Sequence, residues 1–380
     1  MLVRARIPIV ALAGLALLLG GCVPEPAPAP APTTTASPSP TPHVVESLSP
    51  AERVGQLFMV GTDVDGVDPL TVSAVVDRHA GGVFLHGRSP AGVEATAAFV
   101  AQFTALAAGE VPLWIATDQE GGDVQVLSGP GFDEIPYAVE QGGLPTDDLR
   151  ERAAVWGAQL AAAGVTVNLA PVADIVTSPD VAEQNAPIGA LLRNYGYDAA
   201  TVAAQAGAFA DGMRRAGVMP TFKHFPGLGR TTENTDDAAG VVDAVIDARS
   251  PDVEVYRDLL ADGPAIVMVS LATYQGIDPA APAVFSPIVV DDLLRDAIGH
   301  EGVVMTDDLS ATASVAGVPP ADRALRAIEA GVDVVLVSAD PAVFAEMYDA
   351  VLARAESDPA FAAVVDAAAR RVVDAKLAGP

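Results

Sequence analysis

The segment from residue 303 to residue 338 contains two short apolar runs separated by a helical pattern. The first run is Val303-Val-Met-Thr-Asp307 and the second is Val332-Asp-Val-Val-Leu-Val-Ser338. Between them, Ala324-Leu-Arg-Ala-Ile-Glu-Ala330 ends at Gly331, and glycine is typical just past a helix. Short continuous apolar runs predict strands buried on both faces, as in a parallel sheet. The segment therefore predicts one strand–helix–strand unit.

The same alternation recurs through residues 47–380. The eight apolar runs are Leu57–Gly61, Gly82–His86, Pro112–Asp118, Val165–Asp174, Met219–His224, Ala265–Leu271, Val303–Asp307 and Val332–Ser338. Eight strand–helix repeats predict an α/β fold, a closed (β/α)8 TIM-type barrel forming a single catalytic domain. A doubly wound open sheet is the alternative, although no glycine-rich phosphate loop follows the first strand.

Helical patterns separate the predicted strands. Asp198 is placed to cap a helix that ends before Gly217. A second helix is predicted to begin near Thr146 and to point Val155, Trp156 and Leu160 inward. The last helix is expected over about residues 360–376.

Composition excludes several classes of protein. The chain has 380 residues, of which 51% are hydrophobic, so it can bury a core and is not a disordered protein. It contains one cysteine, which excludes a disulfide scaffold. The formal net charge of −28 disfavours nucleic acid as a partner, because phosphates would be repelled.

Residues 1–22 are typical of a bacterial lipoprotein signal peptide and lipobox. Arg4 and Arg6 precede an apolar run of 13 residues, Ile7–Leu19, which is shorter than the about 20 residues that span a bilayer. Leu19-Gly-Gly-Cys22 follows, which predicts lipidation of Cys22. An ordinary signal peptide with an incidental cysteine is the alternative.

Residues 23–46 predict a disordered linker rich in Pro, Ala, Thr and Ser. Eight prolines lie between Pro24 and Pro42. Proline removes backbone donors and stiffens the chain, so this stretch suits a semi-rigid spacer. We therefore expect an exported protein held by a lipid anchor at the outer face of the bacterial cell membrane, with the barrel domain over 47–380.

Polar residues end several predicted strands. The carboxyl ends of barrel strands meet at one face, where TIM-barrel enzymes carry their chemistry. We therefore expect five side chains to converge there: Asp118, Asp174, Lys223, His224 and Asp307. Such carboxylates can instead cap a following loop, an alternative that is strongest for Asp174. No cluster has metal-ligand spacing, so neither a metal nor another cofactor is expected. Mixed donors and acceptors suit sugar hydroxyls.

Three segments resemble glycoside hydrolase family 3, in particular its single-domain β-N-acetylhexosaminidase branch. They are Ile115-Ala-Thr-Asp-Gln-Glu-Gly-Gly122, Lys223-His-Phe-Pro-Gly227 and Val303-Val-Met-Thr-Asp-Asp-Leu-Ser310. Pro187-Ile-Gly189 and Arg193-Asn-Tyr-Gly196 are similar to the family's substrate-side loop after strand four. The resemblance covers nearly all of residues 47–380.

The resemblance implies roles for individual residues. Asp307 matches the family's catalytic nucleophile, which forms a covalent glycosyl-enzyme and retains configuration. Substrate-binding positions are matched by Asp118, Arg193, Lys223 and His224. Asp308, beside the nucleophile, is expected to be structural.

The chain departs from the family after its Pro-Gly turn. Family members usually carry an Asp-Ser-His element there, whose histidine is the general acid/base. This chain reads Gly227-Leu-Gly-Arg-Thr-Thr-Glu-Asn-Thr-Asp-Asp237, which has no histidine. A carboxyl group with a raised pKa could donate the proton instead, and Asp236 is the first candidate and Glu233 the second. After Gly122, Asp123 and Val126 stand where basic residues are frequent in the family.

The expected function is that of a β-N-acetylhexosaminidase acting on terminal N-acetylglucosamine of cell-wall glycans during peptidoglycan turnover. The expected partners are a carbohydrate substrate and the membrane, through the lipid anchor, and the expected oligomeric state is a monomer. A β-glycosidase with another sugar specificity is one alternative. The other is a sugar-binding lipoprotein that has lost its proton donor and its activity.

Overall fold

The eight predicted apolar runs form a parallel sheet in the computed structural model, which describes residues 44–107 and 109–380. The strands are β1 Phe58–Asp63, β2 Gly82–His86, β3 Trp114–Thr117, β4 Val167–Asn168, β5 Met219–Phe225, β6 Ile266–Val269, β7 Val304–Thr306 and β8 Val335–Val337. Neighbours follow chain order from β1 to β7, and β8 pairs with β1. The backbone N–H of Thr306 donates to the carbonyl of Val334 at 2.9 Å and joins β7 to β8. The sheet closes, which confirms the barrel and excludes the open sheet.

Helices follow the strands on the outside of the sheet. They are α1 Val44–Ser47, α2 Pro50–Gln56, α3 Pro69–Arg78, α4 Gly92–Thr104, α5 Ala138–Gln141, α6 Thr146–Ala162, α7 Pro179–Ala182, α8 Ala199–Arg215, α9 Pro251–Ala261, α10 Pro320–Glu329, α11 Phe344–Ser357 and α12 Pro359–Ala378. A π-helix, Ile288–Ile298, lies between β6 and β7. Short 3₁₀ turns occupy Gly189–Leu191, Ala283–Phe285, Ala313–Val315 and Pro341–Val343.

Side-chain hydrogen bonds to the backbone cap the N-termini of several helices. Asp198 caps α8, as predicted, by accepting a hydrogen bond from the Thr201 backbone N–H at 2.9 Å. In α6, Trp156 and Leu160 are buried, as predicted, but Val155 is 51% exposed, so the prediction for Val155 was wrong. Adjacent side chains on a helix point about 100° apart. Trp156 points toward the core, so its neighbour Val155 points toward solvent.

Side chains alternate between two apolar layers. Phe58 and Val60 of β1 pack toward the surrounding helices, whereas Met59 between them belongs to a separate cluster inside the barrel. All eight strands or their immediate extensions contribute to the inner cluster. Its core members are Met59, Phe84, Trp114, Ala116, Val167, Leu169, Met219, Ile266, Met268, Val303, Met305, Val334 and Leu336. Large side chains fill the barrel interior, so ligands are confined to its ends.

Two small sheets extend the connections after the strands. Gln119–Gly121 pairs with Val124–Gln125 directly after β3. Val242–Asp247 pairs with Thr273–Gly276, which also pairs with Asp278–Pro282. These additions stiffen the loops that follow β3, β5 and β6, at the end where polar side chains are expected.

The predicted signal peptide and lipobox, 1–22, and residues 23–43 of the predicted linker lie outside the described residues. Residues 44–46, which the prediction assigned to the linker, belong to α1, where Val45 is buried. Within the described part of the chain, none of the helices combines the length and the apolar character needed to cross a membrane.

Candidate active site

A cavity of about 320 Å³ opens at the carboxyl ends of the barrel strands. Its lining includes six of the residues predicted for the site: Asp118, Arg193, Lys223, His224, Asp236 and Asp307. Phe84, Met268 and Leu336 of the inner apolar cluster also line it and form its base. The cavity thus combines an apolar base with a charged wall, as ligand sites in proteins commonly do.

The charged wall is organised by Glu120, which is buried. Its carboxylate accepts two hydrogen bonds from Arg193, from Nε at 2.9 Å and from Nη2 at 2.8 Å. Lys223 Nζ lies 2.6 Å from Glu120 Oε1 and 2.6 Å from Asp118 Oδ1. Arg193 Nη1 also donates to the carbonyl of Pro187 at 2.8 Å. One carboxylate therefore fixes both cations of the wall.

This ion network perturbs the pKa of Glu120, Lys223 and Arg193. Burial alone would raise the pKa of Glu120, but Arg193 and Lys223 lower it to about 2. Burial opposes the charged form of Lys223, yet Asp118 and Glu120 raise its pKa. The pKa of Arg193 is also raised, because Glu120 outweighs the effect of burial. All three groups are charged at neutral pH, so the wall presents fixed charges and hydrogen-bonding groups.

Glu120 is the site residue that the sequence analysis did not single out. It lies within the segment Thr117-Asp-Gln-Glu120, two positions after Asp118, and a buried glutamate needs a cationic partner. The later Lys223 and Arg193 are the partners, but they are 103 and 73 positions away by their numbers. Only the barrel brings them to Glu120.

Asp174 lies behind the cavity wall instead of in it. It is fully buried and accepts hydrogen bonds from the backbone N–H groups of His224 at 3.2 Å and Leu228 at 2.7 Å. Its second oxygen lies 2.8 Å from His224 Nδ1. The expectation that Asp174 shares the mouth was wrong. Instead it orients His224, whose ring faces the cavity, and holds the start of the following loop.

Asp307 stands directly after β7 and lines the cavity. Its Oδ1 accepts a hydrogen bond from the Asp308 backbone N–H at 2.8 Å. The Asp308 carboxylate turns back onto the chain, where it accepts bonds from the backbone N–H groups of Ser310 at 3.0 Å and Ser338 at 2.8 Å. Asp308 therefore holds the turn after β7 and the end of β8, which positions its neighbour.

The loop after β5 brings Asp236 to the same cavity. Its backbone carbonyl accepts from the N–H of Ala313 at 3.0 Å, and Thr235 likewise accepts from Ser314 at 3.2 Å. These contacts fasten the loop to the segment after β7. Glu233 is exposed and does not line the cavity. The structure thus brings Asp236, but not Glu233, to the cavity that Asp307 also lines.

The pKa of Asp236 is raised to about 6. Partial removal from water contributes most, and the negative charge of Asp307 follows. His224 and Arg193 oppose this rise. Asn234 Nδ2 lies 3.4 Å from Asp236 Oδ2, and Asn234 Oδ1 accepts from the Asp236 backbone N–H at 3.2 Å. Two carboxyl groups in one cavity, one of them with a raised pKa, are suited to general acid/base chemistry.

Residues 50–375 match the family described as glycosyl hydrolase family 3 N terminal domain. The chain belongs to this family. The match runs from the start of α2 into the last turns of α12, so it spans all eight strands and includes every cavity residue named above.

The chain is similar to family 3 proteins of known sequence and to family 3 proteins of known structure. A crystal structure of β-N-acetylhexosaminidase from Beutenbergia cavernae DSM 12333 is 57% identical, has a TM-score of 0.86 and covers 87% of this chain and 98% of that chain. Beta-hexosaminidase LpqI of Mycobacterium tuberculosis is 34% identical over 298 residues, 76% of this chain and 73% of LpqI. A family 3 glycosyl hydrolase structure from Mycobacterium smegmatis is 30% identical, with a TM-score of 0.75, and covers 87% of this chain and 98% of that chain.

Within the described part of this family 3 chain, no group of three or more His, Cys, Asp or Glu side chains is arranged to hold a metal ion. Among the described histidines, His224 is the one that lines the cavity.

Replacing Glu120 tests the ion network. Glu120→Gln should lower the free energy of unfolding at pH 7 by about 3–5 kcal/mol, because two buried cations lose their shared anion. The pKa of Glu120 is lowered from 4.5 to about 2, so its stabilisation is complete above pH 4.5 and is lost as pH falls toward 2. The difference between wild type and variant should shrink over that range. Urea unfolding followed by circular dichroism measures it.

The matched control is Glu134→Gln, which removes an exposed carboxylate on the connection after β3. It should change stability by less than about 0.5 kcal/mol. Equal stability of Glu120→Gln and wild type at pH 7 would contradict the organising role given to Glu120.

Proposed function

We propose that this chain is a retaining β-N-acetylhexosaminidase that removes terminal N-acetylglucosamine from glycans. The observation that carries the proposal is the shared cavity of Asp307 and Asp236, in which one carboxyl group has a pKa raised to about 6. The names of the relatives from Beutenbergia cavernae and Mycobacterium tuberculosis support the sugar.

In the proposed reaction, Asp307 is the nucleophile and Asp236 the proton donor. The Asp307 carboxylate attacks the anomeric carbon, and the bond from that carbon to the leaving oxygen breaks as Asp236 gives that oxygen its proton. The resulting Asp236 carboxylate then takes a proton from water, whose oxygen attacks the anomeric carbon and releases Asp307. Two displacements at one carbon retain its configuration.

The charged wall would bind the sugar. The Asp118 side chain is 27% exposed, so its carboxylate can accept a hydrogen bond from a sugar hydroxyl. Its Oδ1 is held by Lys223 Nζ at 2.6 Å. Arg193 uses three N–H groups on Glu120 and Pro187, which leaves two for the ligand. His224, oriented by Asp174, adds a ring nitrogen on the same side. These fixed groups can bind hydroxyls without reorganising, which favours precise placement of the ring.

Replacing Asp307 tests the proposed nucleophile. Asp307→Asn or Asp307→Ala should lower kcat for an aryl β-N-acetylglucosaminide by about 10⁴-fold or more, because no other group forms the covalent bond. A 2-fluoro glycoside should add covalently to wild-type Asp307, and peptide mass spectrometry should locate the adduct there.

Unchanged turnover by the Asp307 variants would end this assignment. A wild-type protein stabilised by N-acetylglucosamine, yet giving neither turnover nor adduct, would instead establish the non-catalytic sugar-binding alternative. Turnover of an aryl β-glucoside in preference to the N-acetylglucosaminide would establish another sugar specificity.

Replacing Asp236 tests the proton donor. Asp236→Ala should lower kcat by about 10²–10⁴-fold for substrates with poor leaving groups, and added azide should restore part of the rate. The donor must be protonated, so wild-type kcat/KM should fall as pH rises through about 6, the raised pKa of Asp236. The variant should lose that alkaline limb, which stopped assays across pH would measure.

Glu233→Ala is the matched control, because Glu233 is an exposed carboxylate of the same loop. It should keep both the rate and the pH profile of the wild type. Loss of the alkaline limb in Glu233→Ala, with Asp236→Ala unaffected, would transfer the role to Glu233.

We propose cell-wall glycans as the source of the substrate, with peptidoglycan turnover as the process. Asp123 and Val126 replace basic residues that are frequent in the family, and the chain carries a net charge of −28. Negative charge repels anionic ligands, so neutral fragments are favoured over those bearing a free muramyl carboxylate. We also propose that the protein is active as a monomer, because the proposed nucleophile, proton donor and sugar-binding residues all line one cavity.

We propose that the protein is exported and lipid-anchored at the outer face of the membrane through Cys22. The apolar run 7–19 and the sequence Leu19-Gly-Gly-Cys22 support this placement. Cys22→Ser should leave activity intact and move the protein from the membrane fraction to the medium or the unprocessed pool, as immunoblotting of fractions would measure. A Cys22→Ser variant that stays processed and membrane-bound would contradict the anchor.

A further inference from the structure

The chain contains two lysines, Lys223 and Lys376, against 19 arginines. Both lysines are buried, yet their surroundings differ. Lys223 binds two carboxylates in the active-site wall. Lys376 Nζ instead donates to two neutral groups, Gln56 Oε1 at 2.7 Å and the carbonyl of Gly81 at 2.6 Å. Within residues 44–107 and 109–380, Lys376 forms no salt bridge.

Lys376 lies at the opposite end of the barrel from the active site. It belongs to α12, whose Val372 packs into the inner apolar cluster, and its partners immediately precede β1 and β2. A second cavity of about 320 Å³ opens there and is lined by Lys376 together with both partners. The amine is therefore buried by its own chain and reached through a space that admits a small molecule.

The hydrogen bonds of Lys376 suit a neutral amine. An uncharged amino group has two N–H donors and one lone pair, and two acceptors lie within bonding distance. Burial lowers the pKa of Lys376 to about 7, and no carboxylate offsets that effect. The Trp114 ring, whose centroid is 5.3 Å from Nζ, favours the ammonium form but carries no formal charge.

The titratable groups that share this cavity do not change that conclusion. Glu52 lines it, but its carboxylate accepts the Ser49 backbone N–H at 2.7 Å as part of the α2 capping box. His79 also lines it, from the end of α3, and adds no negative charge.

We propose that Lys376 is a reactive amine and a modification site at the base of the barrel, open to small activated acyl donors through this cavity. The Lys376 nitrogen attacks the acyl carbon, a nitrogen–carbon bond forms, the bond to the leaving group breaks, and the nitrogen's proton passes to water. The amide product keeps one N–H, so either Gln56 or Gly81 loses its donor. Acylation would thereby loosen the attachment of α12 to the ends of β1 and β2.

Trace acetylation of the folded full-length protein tests this site. Small amounts of deuterated acetic anhydride are added at pH values from 5 to 11, and complete labelling after denaturation with the unlabelled reagent gives the reacted fraction of each lysine by peptide mass spectrometry. We expect Lys376 to react with a midpoint near pH 7 (the lowered pKa). Lys223 is the internal control and should stay protected in the folded protein.

The proposal fails if Lys376 is unlabelled at pH 9, if its midpoint lies above pH 10, or if Lys223 reacts as fast. A Lys376→Met variant keeps an unbranched side chain but removes the amine, and it should lose the labelled peptide while Lys223 stays protected. Turnover of the aryl glycoside by the acetylated enzyme is measured in parallel. It reports on the active site alone, so the outcome for Lys376 is independent of the proposed glycosidase activity.

Discussion

The carboxylate of Glu120 is the contact on which the active-site wall depends. Two buried cations, Lys223 and Arg193, come from different parts of the chain, and Glu120 is the anion that binds both. Buried charges require such partners. The network costs desolvation, which only hydrogen bonds of good geometry offset. The network holds the side chains of Asp118, Lys223 and Arg193 in fixed positions. All three line the cavity, where their remaining hydrogen-bonding groups can bind a ligand.

The pKa values of Glu120 and Asp236 are shifted in opposite directions. Arg193 and Lys223 outweigh burial and lower the pKa of Glu120 to about 2, whereas burial, followed by the charge of Asp307, raises the pKa of Asp236 to about 6. Asp236 lines the cavity, and Glu120 binds two cations that also line it. Burial and partner charge together, more than residue type, therefore decide which carboxyl group is always ionised and which can hold a proton near neutral pH.

The loop after β5 shows how a missing histidine can be accommodated. The family's usual element places a histidine near the nucleophile, and here Asp236 occupies the corresponding place in the sequence. Contacts from Thr235 and Asp236 to Ala313 and Ser314 hold the loop against the segment that follows the nucleophile. Partial burial and the charge of Asp307 raise the pKa of Asp236, whereas the family's usual histidine is oriented by an aspartate.

The sequence by itself determined the barrel, because eight apolar runs alternate with capped helices and each signal is local. It also determined four wall residues, Asp118, Lys223, His224 and Asp307, because they end predicted strands, and the family resemblance added Arg193. Only the tertiary structure decided that Glu120 joins the cations, that Asp174 lies behind His224, and that Asp236 rather than Glu233 reaches the cavity. Each of these outcomes depends on groups distant in sequence or on the path of a loop. Local sequence patterns do not predict such contacts.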